Sequence, residues 1–281
     1  MNDGVLRVTI LGSGSSGGVP RADGDWGVCD PNNPKNRRSR CSLLVERKRA
    51  GAAWGPETTT TILFDTSPDL RNQLIDAKVT RIDALLYTHD HADQTHGIDD
   101  LRAIVYSMGK RIPTWMDAVT CDSLTKKFGY IFETPKGSHY PALLDAKLLP
   151  RHGEKFSIEG PGGSVTVMPL AQNHGPIDSV GFRLGNFAYC NDVRTLPEET
   201  LLALAGLRLF VVDALRWTPH PSHSHVAQTL SWIDRLKPTL AVLTDMHIDI
   251  DYEDMRQKCP PGVEPGYDGW AIEIPEAHIL S

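Results

Sequence analysis

The stretch ALLYTHDHADQTHGIDDLR, residues 84–102, changes from an apolar run to metal-capable side chains within a few positions. Its first residues are typical of a buried strand, and His89, His91 and Asp93 follow at alternate positions. Alternate residues of an extended chain point to the same side, so these side chains can face one cation. Because imidazole nitrogens and carboxylate oxygens bind zinc and related ions, the spacing predicts a metal site just before a helix that starts near Gly97.

The composition of the 281-residue chain is that of an ordinary globular protein. Hydrophobic residues make up 40% of it and charged residues 23%, which is enough for a large core. The net charge of -6 argues against a broadly basic nucleic-acid surface. No apolar run approaches the roughly 18 residues that span a bilayer, and the start lacks the features of a signal peptide. We therefore expect one cytoplasmic domain over residues 1–281 with no membrane partner. The sequence does not decide between a monomer and a homodimer.

The cysteines predict neither a disulfide framework nor a zinc knuckle. They are odd in number and scattered, and no two of them form a Cys-x-x-Cys pair. We expect most of them to be reduced and structural.

Strand-like and helix-like segments follow one another in both halves of the chain. Runs rich in β-branched and aromatic residues predict strands that begin at Val5, Arg40, Thr59, Asp83, Ser164, Ser179, Asn186, Leu207 and Thr239. Amphipathic segments predict helices in PDLRNQLIDA, GIDDLRAIVYSMG, LPEETLLALAG and HVAQTLSWIDRLKP. The pattern fits an α/β (α+β) architecture in which two packed sheets are covered by helices, a four-layer αββα sandwich. Periodicity alone leaves a doubly wound α/β fold open.

One long connection, residues 12–40, has no periodicity and is rich in Gly, Pro, Asn and Asp. Loops of this length inside compact domains are usually functional or disordered. The loop ends in KNRRSR, which brings Arg38 and Arg40 together with other basic residues. This segment is either a solvated basic face or a rim that attracts phosphate, since guanidinium groups match phosphate oxygens.

Several motifs together resemble a known family. THDHAD is similar to the His-x-His-x-Asp-His signature of the metallo-β-lactamase superfamily, with Gln94 at the last position. LGSGSSGGVPR, NRRSRCSLLVE, HGIDDLR, NHGPIDSVGFRL and NDVRTLPEE resemble the branch that contains phosphoribosyl 1,2-cyclic phosphate phosphodiesterase and the tRNA 3′-processing endonucleases. The motifs occur in the expected order from near residue 8 to near residue 252. The resemblance implies an αββα sandwich of the metallo-β-lactamase type with a dinuclear metal site.

The resemblance also implies which residues bind the first cation. His89 and His91 would bind it together with His174 from QNHGP, and Asp192 from YCNDV would bridge the two cations. An imidazole-rich position of this kind favours zinc.

The second cation position departs from the family pattern in two places. Gln94 and Asp245 stand where the family has histidines, which leaves Asp93, Asp192 and Asp245 as ligands. Oxygen ligands favour harder ions, so we expect manganese or zinc at this position. The Gln94 carbonyl is a further candidate ligand.

Two alternatives for the second position remain open. His96 and His247 could rotate in as substitute ligands, or the position could be empty.

The sequence HPSHSH supplies the candidate acid. His223 aligns with the second histidine of a family motif similar to His-Pro-Thr-His, which implies that it protonates the leaving group. Asp93 would be both a ligand and the residue that orients the nucleophile. Asp213, at the end of a strand, is a candidate hydrogen-bond acceptor for a ligating imidazole. His220 and His225 join Arg38 and Arg40 as candidate substrate-binding residues.

These observations predict a metal-dependent phosphodiesterase that acts on a small cyclic or nucleotide-like phosphate, of the phosphoribosyl 1,2-cyclic phosphate type. A hydrolase of the same fold acting on a lactone, ester or thioester is one alternative. A non-catalytic protein that binds a nucleotide or phosphosugar is another. The sequence shows no extended basic arm that could bind tRNA, so tRNA is not expected as a partner.

Overall fold

The computed structural model describes residues 4–276. Over these residues the strands are β1 (Gly4–Gly12), β2 (Ser42–Arg49), β3 (Thr59–Phe64), β4 (Ala84–Leu86), β5 (Ile112–Met116), β6 (Leu144–Leu148), β7 (Phe156–Ile158), β8 (Val165–His174), β9 (Ile177–Leu184), β10 (Phe187–Cys190), β11 (Leu209–Asp213), β12 (Leu240–Thr244), β13 (Val263–Pro265) and β14 (Ala271–Pro275). The α-helices are α1 (Leu70–Asp76), α2 (Ala92–Thr95), α3 (Arg102–Met108), α4 (Ala118–Lys127), α5 (Gly129–Phe132), α6 (Glu198–Ala203), α7 (Val226–Leu236) and α8 (Tyr252–Lys258). Two short 3-10 helices cover Pro34–Asn36 and Ile98–Leu101.

The strands form two mixed sheets of seven strands each, and both sheets have a parallel half and an antiparallel half. The first has the order β14-β1-β2-β3-β4-β5-β6 and the second the order β13-β12-β11-β10-β9-β8-β7. In the first sheet the strands from β14 to β3 are antiparallel and those from β3 to β6 are parallel. In the second sheet the strands from β13 to β10 are parallel and those from β10 to β7 are antiparallel. Each sheet therefore has a parallel half whose carboxyl ends can carry functional side chains.

The main core lies between the two sheets, because alternate strand residues point to the same side. In β1, for example, Leu6 and Val8 are fully buried while their neighbours are half-buried. The Phe64 ring of the first sheet packs edge-on against Phe182 and Tyr189 of the second, at centroid distances of 5.5 and 5.7 Å. Two further apolar clusters lie on the outer faces, beneath α1 and α3–α5 on one side and α6–α8 on the other. The structure thus confirms the predicted four-layer αββα sandwich.

The predicted helices are present but shorter than their sequence patterns. The segment predicted to run from Gly97 to Gly109 divides into the 3-10 helix and α3, which ends at Gly109 in the left-handed region (φ 63°). α1 begins at Leu70 rather than at Pro68, and the Ser67 hydroxyl accepts a hydrogen bond from the Asp69 N–H.

The long loop over residues 13–41 contains no strand and only one short 3-10 helix among the described elements. Isolated backbone bridges join Gly14 to Arg40 and to Met246, and Val19 to Arg38. Met246 follows the end of β12, so the loop packs against the same edge of the sandwich as the parallel strand ends. All five cysteines are free thiols, as expected. No helix within residues 4–276 has both the length and the apolar character needed to cross a bilayer.

Candidate metal centre

Five polar residues converge at the edge where the parallel strands end. His89 follows β4, Asp192 follows β10, and Asp245 directly follows β12. His174 is the last residue of β8 and Asp213 the last of β11. The strand ends of both sheets therefore bring together side chains that are up to 156 positions apart in the chain, from 89 to 245.

His89 is held by a relay of hydrogen bonds that frees one ring nitrogen. The Asp65 carboxylate accepts from the Thr88 N–H at 2.8 Å and from the Thr88 hydroxyl at 2.9 Å. Because the hydroxyl proton is donated to Asp65, the Thr88 oxygen accepts from Nδ1–H of His89 at 3.0 Å. Nε2 of His89 then carries no proton and has a free lone pair. This atom is buried and has no hydrogen-bond partner. An orphaned buried nitrogen of this kind needs a ligand.

His174 is oriented in the same way by a backbone carbonyl. Its Nδ1 lies 2.7 Å from the Ser222 carbonyl oxygen, which can only accept, so Nδ1 carries the proton and Nε2 is the free lone pair. Gly175 allows this approach, since it has a φ of 76° and a Cβ there would lie 2.8 Å from the Pro221 carbonyl oxygen and 2.9 Å from Ser222.

The two oxygens of Asp192 have different surroundings. Oδ1 lies 3.6 Å from Nε2 of His174 and 3.9 Å from Nε2 of His89. Oδ2 accepts from the side-chain amide of Gln94 at 3.0 Å and from that of Asn191 at 2.6 Å. Asp192 sits in the left-handed region (φ 50°), a conformation that Asp tolerates better than most residues. Only Oδ1 therefore faces the histidines.

We call His89, His91, His174 and the Oδ1 atom of Asp192 the imidazole cluster. The ring of His91 lies 4.5 Å from that of His89 and 5.1 Å from that of His174, and nitrogens of the three rings lie within 4.8 Å of one another. Two ligand atoms on one tetrahedral ion lie roughly 3.4 Å apart, so the observed 3.6 and 3.9 Å need only small movements. The donor set of the imidazole cluster fits a divalent metal ion.

Burial keeps His89 and His174 in the form that binds metal. It lowers the pKa of His89 well below the usual imidazole value and lowers that of His174 to about 4. Both rings are therefore neutral near pH 7, as metal ligation requires. Burial raises the pKa of Asp192 in the absence of a cation.

A second group, which we call the carboxylate cluster, consists of Asp213 and Asp245 around His223. Nδ1 of His223 lies 2.9 Å from Oδ2 of each carboxylate and donates to that of Asp213. Asp213 Oδ2 also accepts from the Val193 N–H at 3.0 Å. Burial lowers the pKa of His223, but the Asp213 and Asp245 carboxylates outweigh this and raise it far above its ordinary value. His223 is therefore a cation next to the imidazole cluster, with Nε2 3.8 Å from Asp192 Oδ1.

Gln94 and Asp93, the other candidate ligands for a second cation, differ in burial and in their contacts. Gln94 is fully buried and its NH2 group faces Asp192, while its carbonyl oxygen has no partner. Asp93 is half-buried near Asp245, and burial followed by this neighbouring carboxylate raises its pKa. Asp93 thus belongs to the same edge as the two clusters.

The structure does not bring His96 or His247 into either cluster. His96 is exposed at the end of α2, and its ring packs edge-on against Phe128. His247 lies between Arg21, whose guanidinium nitrogen is 2.5 Å from Nε2, and Asp249, whose carboxylate is 3.2 Å from Nδ1.

The two predicted phosphate-binding arginines have partners of their own. Arg38 is 1% exposed, and its guanidinium donates to the His247 carbonyl oxygen at 3.3 Å and to Asn36 at 3.2 Å. Arg40 forms an ion pair with Asp69 at 3.0 Å. Arg38 is therefore buried inside the long loop rather than displayed at a rim.

The two remaining histidines of HPSHSH differ in position. The ring of His220 lies 5.2 Å from that of His223, so it borders the carboxylate cluster. His225 is half-buried as the first residue before α7, and its backbone bridges to Arg216.

Sequence analysis missed Asp65, Asn191 and Arg21. Asp65 could have been found, because it directly follows a strand, as Asp245 does. Asn191 and Arg21 carry no signal of their own, since their roles follow from contacts with Asp192 and His247.

Comparisons with known proteins agree with this geometry. A family model described as "Beta-lactamase superfamily domain" matches residues 60–248. The chain therefore belongs to the metallo-β-lactamase superfamily.

Within the superfamily, a solved structure described as "a New Diphosphatase from the PhnP Family" is 30% identical, with a TM-score of 0.82 and coverage of 97% of this chain and 99% of that one. Human tRNase Z, short form, shares the fold at 16% identity and a TM-score of 0.64, covering 95% of this chain and 98% of that one. The first of these structures confirms the predicted branch, and the second shows the shared fold.

A curated relative from Porphyromonas gingivalis, named octanoyltransferase, is 30% identical over 277 residues, which are 98% of this chain and 53% of that protein. The chain thus spans about half the length of this relative. A second relative, coenzyme PQQ synthesis protein B of Azoarcus sp., is 24% identical and is covered in full by 96% of this chain.

Proposed function

We propose that this protein is a metal-dependent hydrolase that cleaves a phosphodiester bond in a small cyclic or nucleotide-like phosphate. The observation that carries the proposal is the position of His223, a cationic imidazole beside a cluster of three imidazoles and a carboxylate oxygen. The similarity to a PhnP-family diphosphatase over nearly the whole of both chains supports chemistry at phosphorus.

The imidazole cluster would hold the cation, and its three ring nitrogens favour zinc. A bound divalent ion lowers the pKa of water and stabilises negative charge on a phosphoryl group. Hydrogen bonds within the chain orient the ligand rings. Thr88 holds His89 and the Ser222 carbonyl holds His174, so that both Nε2 lone pairs face the proposed cation.

His223 is proposed as the general acid. Its Nδ1 proton is held by Asp213, so the proton on Nε2 is the one free to pass to the departing alkoxide oxygen. Nε2 lies 3.8 Å from Asp192 Oδ1, too far for a hydrogen bond, and is therefore available to substrate. Half-buried Asp93 on the same edge is proposed to orient the attacking water.

Arg21, His247 and His220 are proposed to bind the non-reacting part of an anionic substrate. The Arg21 side chain is 41% exposed while it contacts His247, so its guanidinium remains open to a ligand. His220 is within electrostatic reach of His247 and borders His223. The Arg21 guanidinium would supply the positive charge and the two imidazoles would supply hydrogen bonds, in the place that Arg38 and Arg40 do not fill.

Cleavage of a diphosphate linkage is a second candidate. It is favoured by the description of the PhnP-family relative as a diphosphatase. Both reactions need the same cation, water and acid, and they differ only in whether the leaving group is an alkoxide or a phosphate.

A substrate panel tests the proposal. Protein loaded with zinc or manganese is assayed with bis-p-nitrophenyl phosphate, a ribose cyclic phosphodiester, a nucleoside diphosphate sugar and a lactone, with chelator-treated protein as the control. We expect metal-dependent turnover of at least one phosphorus substrate and none of the lactone. Faster lactone hydrolysis would identify a carbon hydrolase, and tight nucleotide binding without turnover would identify a binding protein; either result overturns the proposal.

A further inference from the structure

We infer that helix α4 positions the metal ligand His91, through hydrogen bonds from Ser123 and Lys127 to Asp90. The inference rests on the metal dependence in the proposed function and assigns two positioning residues outside the imidazole cluster.

His91 differs from the other two histidines of the imidazole cluster. His89 and His174 are buried, and the Nδ1–H of each ring donates to a neighbouring oxygen. His91 is exposed, and no hydrogen bond of its ring is found within residues 4–276. Histidines that bind a metal are usually oriented by such a bond. The direction of the His91 side chain therefore depends on the two peptide groups that flank its Cα.

Both of these peptide groups are anchored. The carbonyl oxygen of His91 itself accepts from the Thr95 hydroxyl at 2.8 Å. The carbonyl oxygen of Asp90, which belongs to the peptide group before His91, accepts from Nζ of Lys127 at 3.2 Å. The first anchor is local, since Thr95 lies only four positions further along, whereas the second comes from another helix. α4 therefore holds the peptide group through which the chain enters His91.

The Asp90 carboxylate gives α4 a second hold on the same residue. Its Oδ2 accepts from the Ser123 hydroxyl at 2.5 Å and from Nζ of Lys127 at 3.1 Å. Lys127 thus contacts both the main chain and the side chain of Asp90. The Asp90 side chain meets α4 while its neighbours His89 and His91 meet the imidazole cluster, as expected for alternate residues of an extended chain. Contacts to Asp90 therefore act on His91 without occupying a ligand atom.

α4 is a firm support for these contacts. Ser123 and Lys127 are four positions apart and so lie on the same side of the helix. The Asp117 side chain caps the start of the helix, and Leu124 is fully buried in the core. The helix follows β5, which is the neighbour of β4 in the first sheet, so it stands beside the strand end that leads into the imidazole cluster.

The preceding lysine of the same helix provides an internal comparison. Lys126 forms an ion pair with Asp122 at 2.6 Å, and the two side chains are 73% and 66% exposed. Lys127 and Asp90 are 44% and 27% exposed. The two lysines share a helix end and a charge, but only Lys127 contacts the residue between two metal ligands.

Metal affinity tests the inference. Wild-type protein and its variants are loaded with cobalt(II), and the affinity is measured by competition with a chelator. We expect about 10-fold lower affinity for Lys127→Met and for Ser123→Ala, and about 100-fold for the double variant, since loss of an outer hydrogen bond weakens metal binding by this amount. The matched control Lys126→Met should bind cobalt as the wild type does. Lys127→Arg, which can still donate to Asp90, should keep most of the wild-type affinity.

The cobalt absorption spectrum and the unfolding temperature distinguish positioning from a merely structural role. A displaced His91 changes the ligand geometry, so the visible absorption of the cobalt form should differ in Lys127→Met but not in Lys126→Met. A half-exposed ion pair contributes little to stability, so the metal-free forms of both variants should unfold at the same temperature. Wild-type affinity and spectrum in Lys127→Met, an equal loss in Lys126→Met, or a loss that Lys127→Arg shares would overturn the inference. If Lys127→Met does not fold, Ser123→Ala decides by the same criteria.

These measurements also separate the inference from the proposed function. Wild-type protein that binds no cobalt would overturn both. The expected affinities without phosphodiester turnover would overturn only the function. Turnover with equal affinity in the wild type and in both α4 variants would overturn only the inference.

Discussion

The imidazole cluster and the carboxylate cluster lie side by side at one edge of the sandwich, and both consist of residue types that bind metals. They differ in where their lone pairs point. In the imidazole cluster, Thr88 and the Ser222 carbonyl accept the Nδ1 protons, so that free Nε2 atoms converge. In the carboxylate cluster, Nδ1 of His223 instead carries a proton and lies between the two carboxylates, 2.9 Å from Oδ2 of each. The difference teaches that residue types alone do not define a metal site, because it also matters which ring nitrogens carry protons.

Removal of an imidazole ligand should have the largest effect. His174→Ala deletes one of the three converging nitrogens, so we expect loss of the bound ion and a fall in kcat/KM of about 10⁴-fold, since metal catalysis contributes several kcal/mol. Metal content and phosphodiesterase rate are measured on the same sample. His96→Ala is the control, because that ring packs against Phe128 outside the cluster. Retention of the ion and of the rate by His174→Ala would remove the imidazole cluster from the mechanism.

Replacement of the cation in the carboxylate cluster should affect turnover but not metal binding. We expect His223→Gln to lower kcat/KM by about 10³-fold, as for the loss of a general acid, with unchanged metal content. The loss should be larger for an alkyl leaving group than for p-nitrophenolate, which needs no proton. His225→Gln is the control, since that side chain makes no capping hydrogen bond. Equal losses on both leaving groups would show that His223 is not the acid.

The Asp213 carboxylate should set the pH range of the acid. Together with Asp245 it raises the pKa of His223, so the protonated, active form persists to alkaline pH and is lost only as pH rises through that raised pKa. Asp213→Asn removes one negative charge and lowers this pKa. We therefore expect kcat/KM to fall by about 10- to 100-fold and its alkaline limb to move to lower pH.

Asp249→Asn is the matched control for this pH profile. It removes an exposed carboxylate from another histidine, His247, and should leave the alkaline limb in place. An unchanged limb in Asp213→Asn would mean that the carboxylate cluster does not control the ionisation of His223.

The sequence predicted the layers of the fold and the location of the site well. The buried residues of strands such as TTTILF and LFVVD are recognisable from composition alone. His89 and His91 stand out because they follow a strand at alternate positions, whereas His174 and Asp192 were identified only through the family resemblance. Chain order cannot show that strand ends distant in sequence meet, because this depends on the order of strands in the two sheets.

The directions of the hydrogen bonds at the site could not be predicted from the sequence. The substitutions at positions 94 and 245 were visible, but not that the Gln94 amide turns its NH2 group to Asp192 or that Asp245 lies against His223. The burial of Arg38 was equally hidden, because KNRRSR reads as a surface run until the loop folds over it. Such features depend on side-chain rotation and long-range packing, which leave no periodic trace.

The smallest predicted effect concerns the backbone that orients His174. A Cβ at position 175 would lie 2.8 Å from the Pro221 carbonyl oxygen, so Gly175→Ala should push this segment away and weaken the hydrogen bond from His174 to Ser222. Loss of such an outer hydrogen bond costs about 10-fold in metal affinity, which competition with a chelator can measure. Gly153→Ala is the matched control, since Gly153 also has a positive φ of 83° but has nothing within 4 Å of an added Cβ. Equal weakening in both variants would trace the effect to backbone strain, whereas weakening in Gly175→Ala alone would show that the carbonyl contact keeps the Nε2 lone pair of His174 directed at the cation.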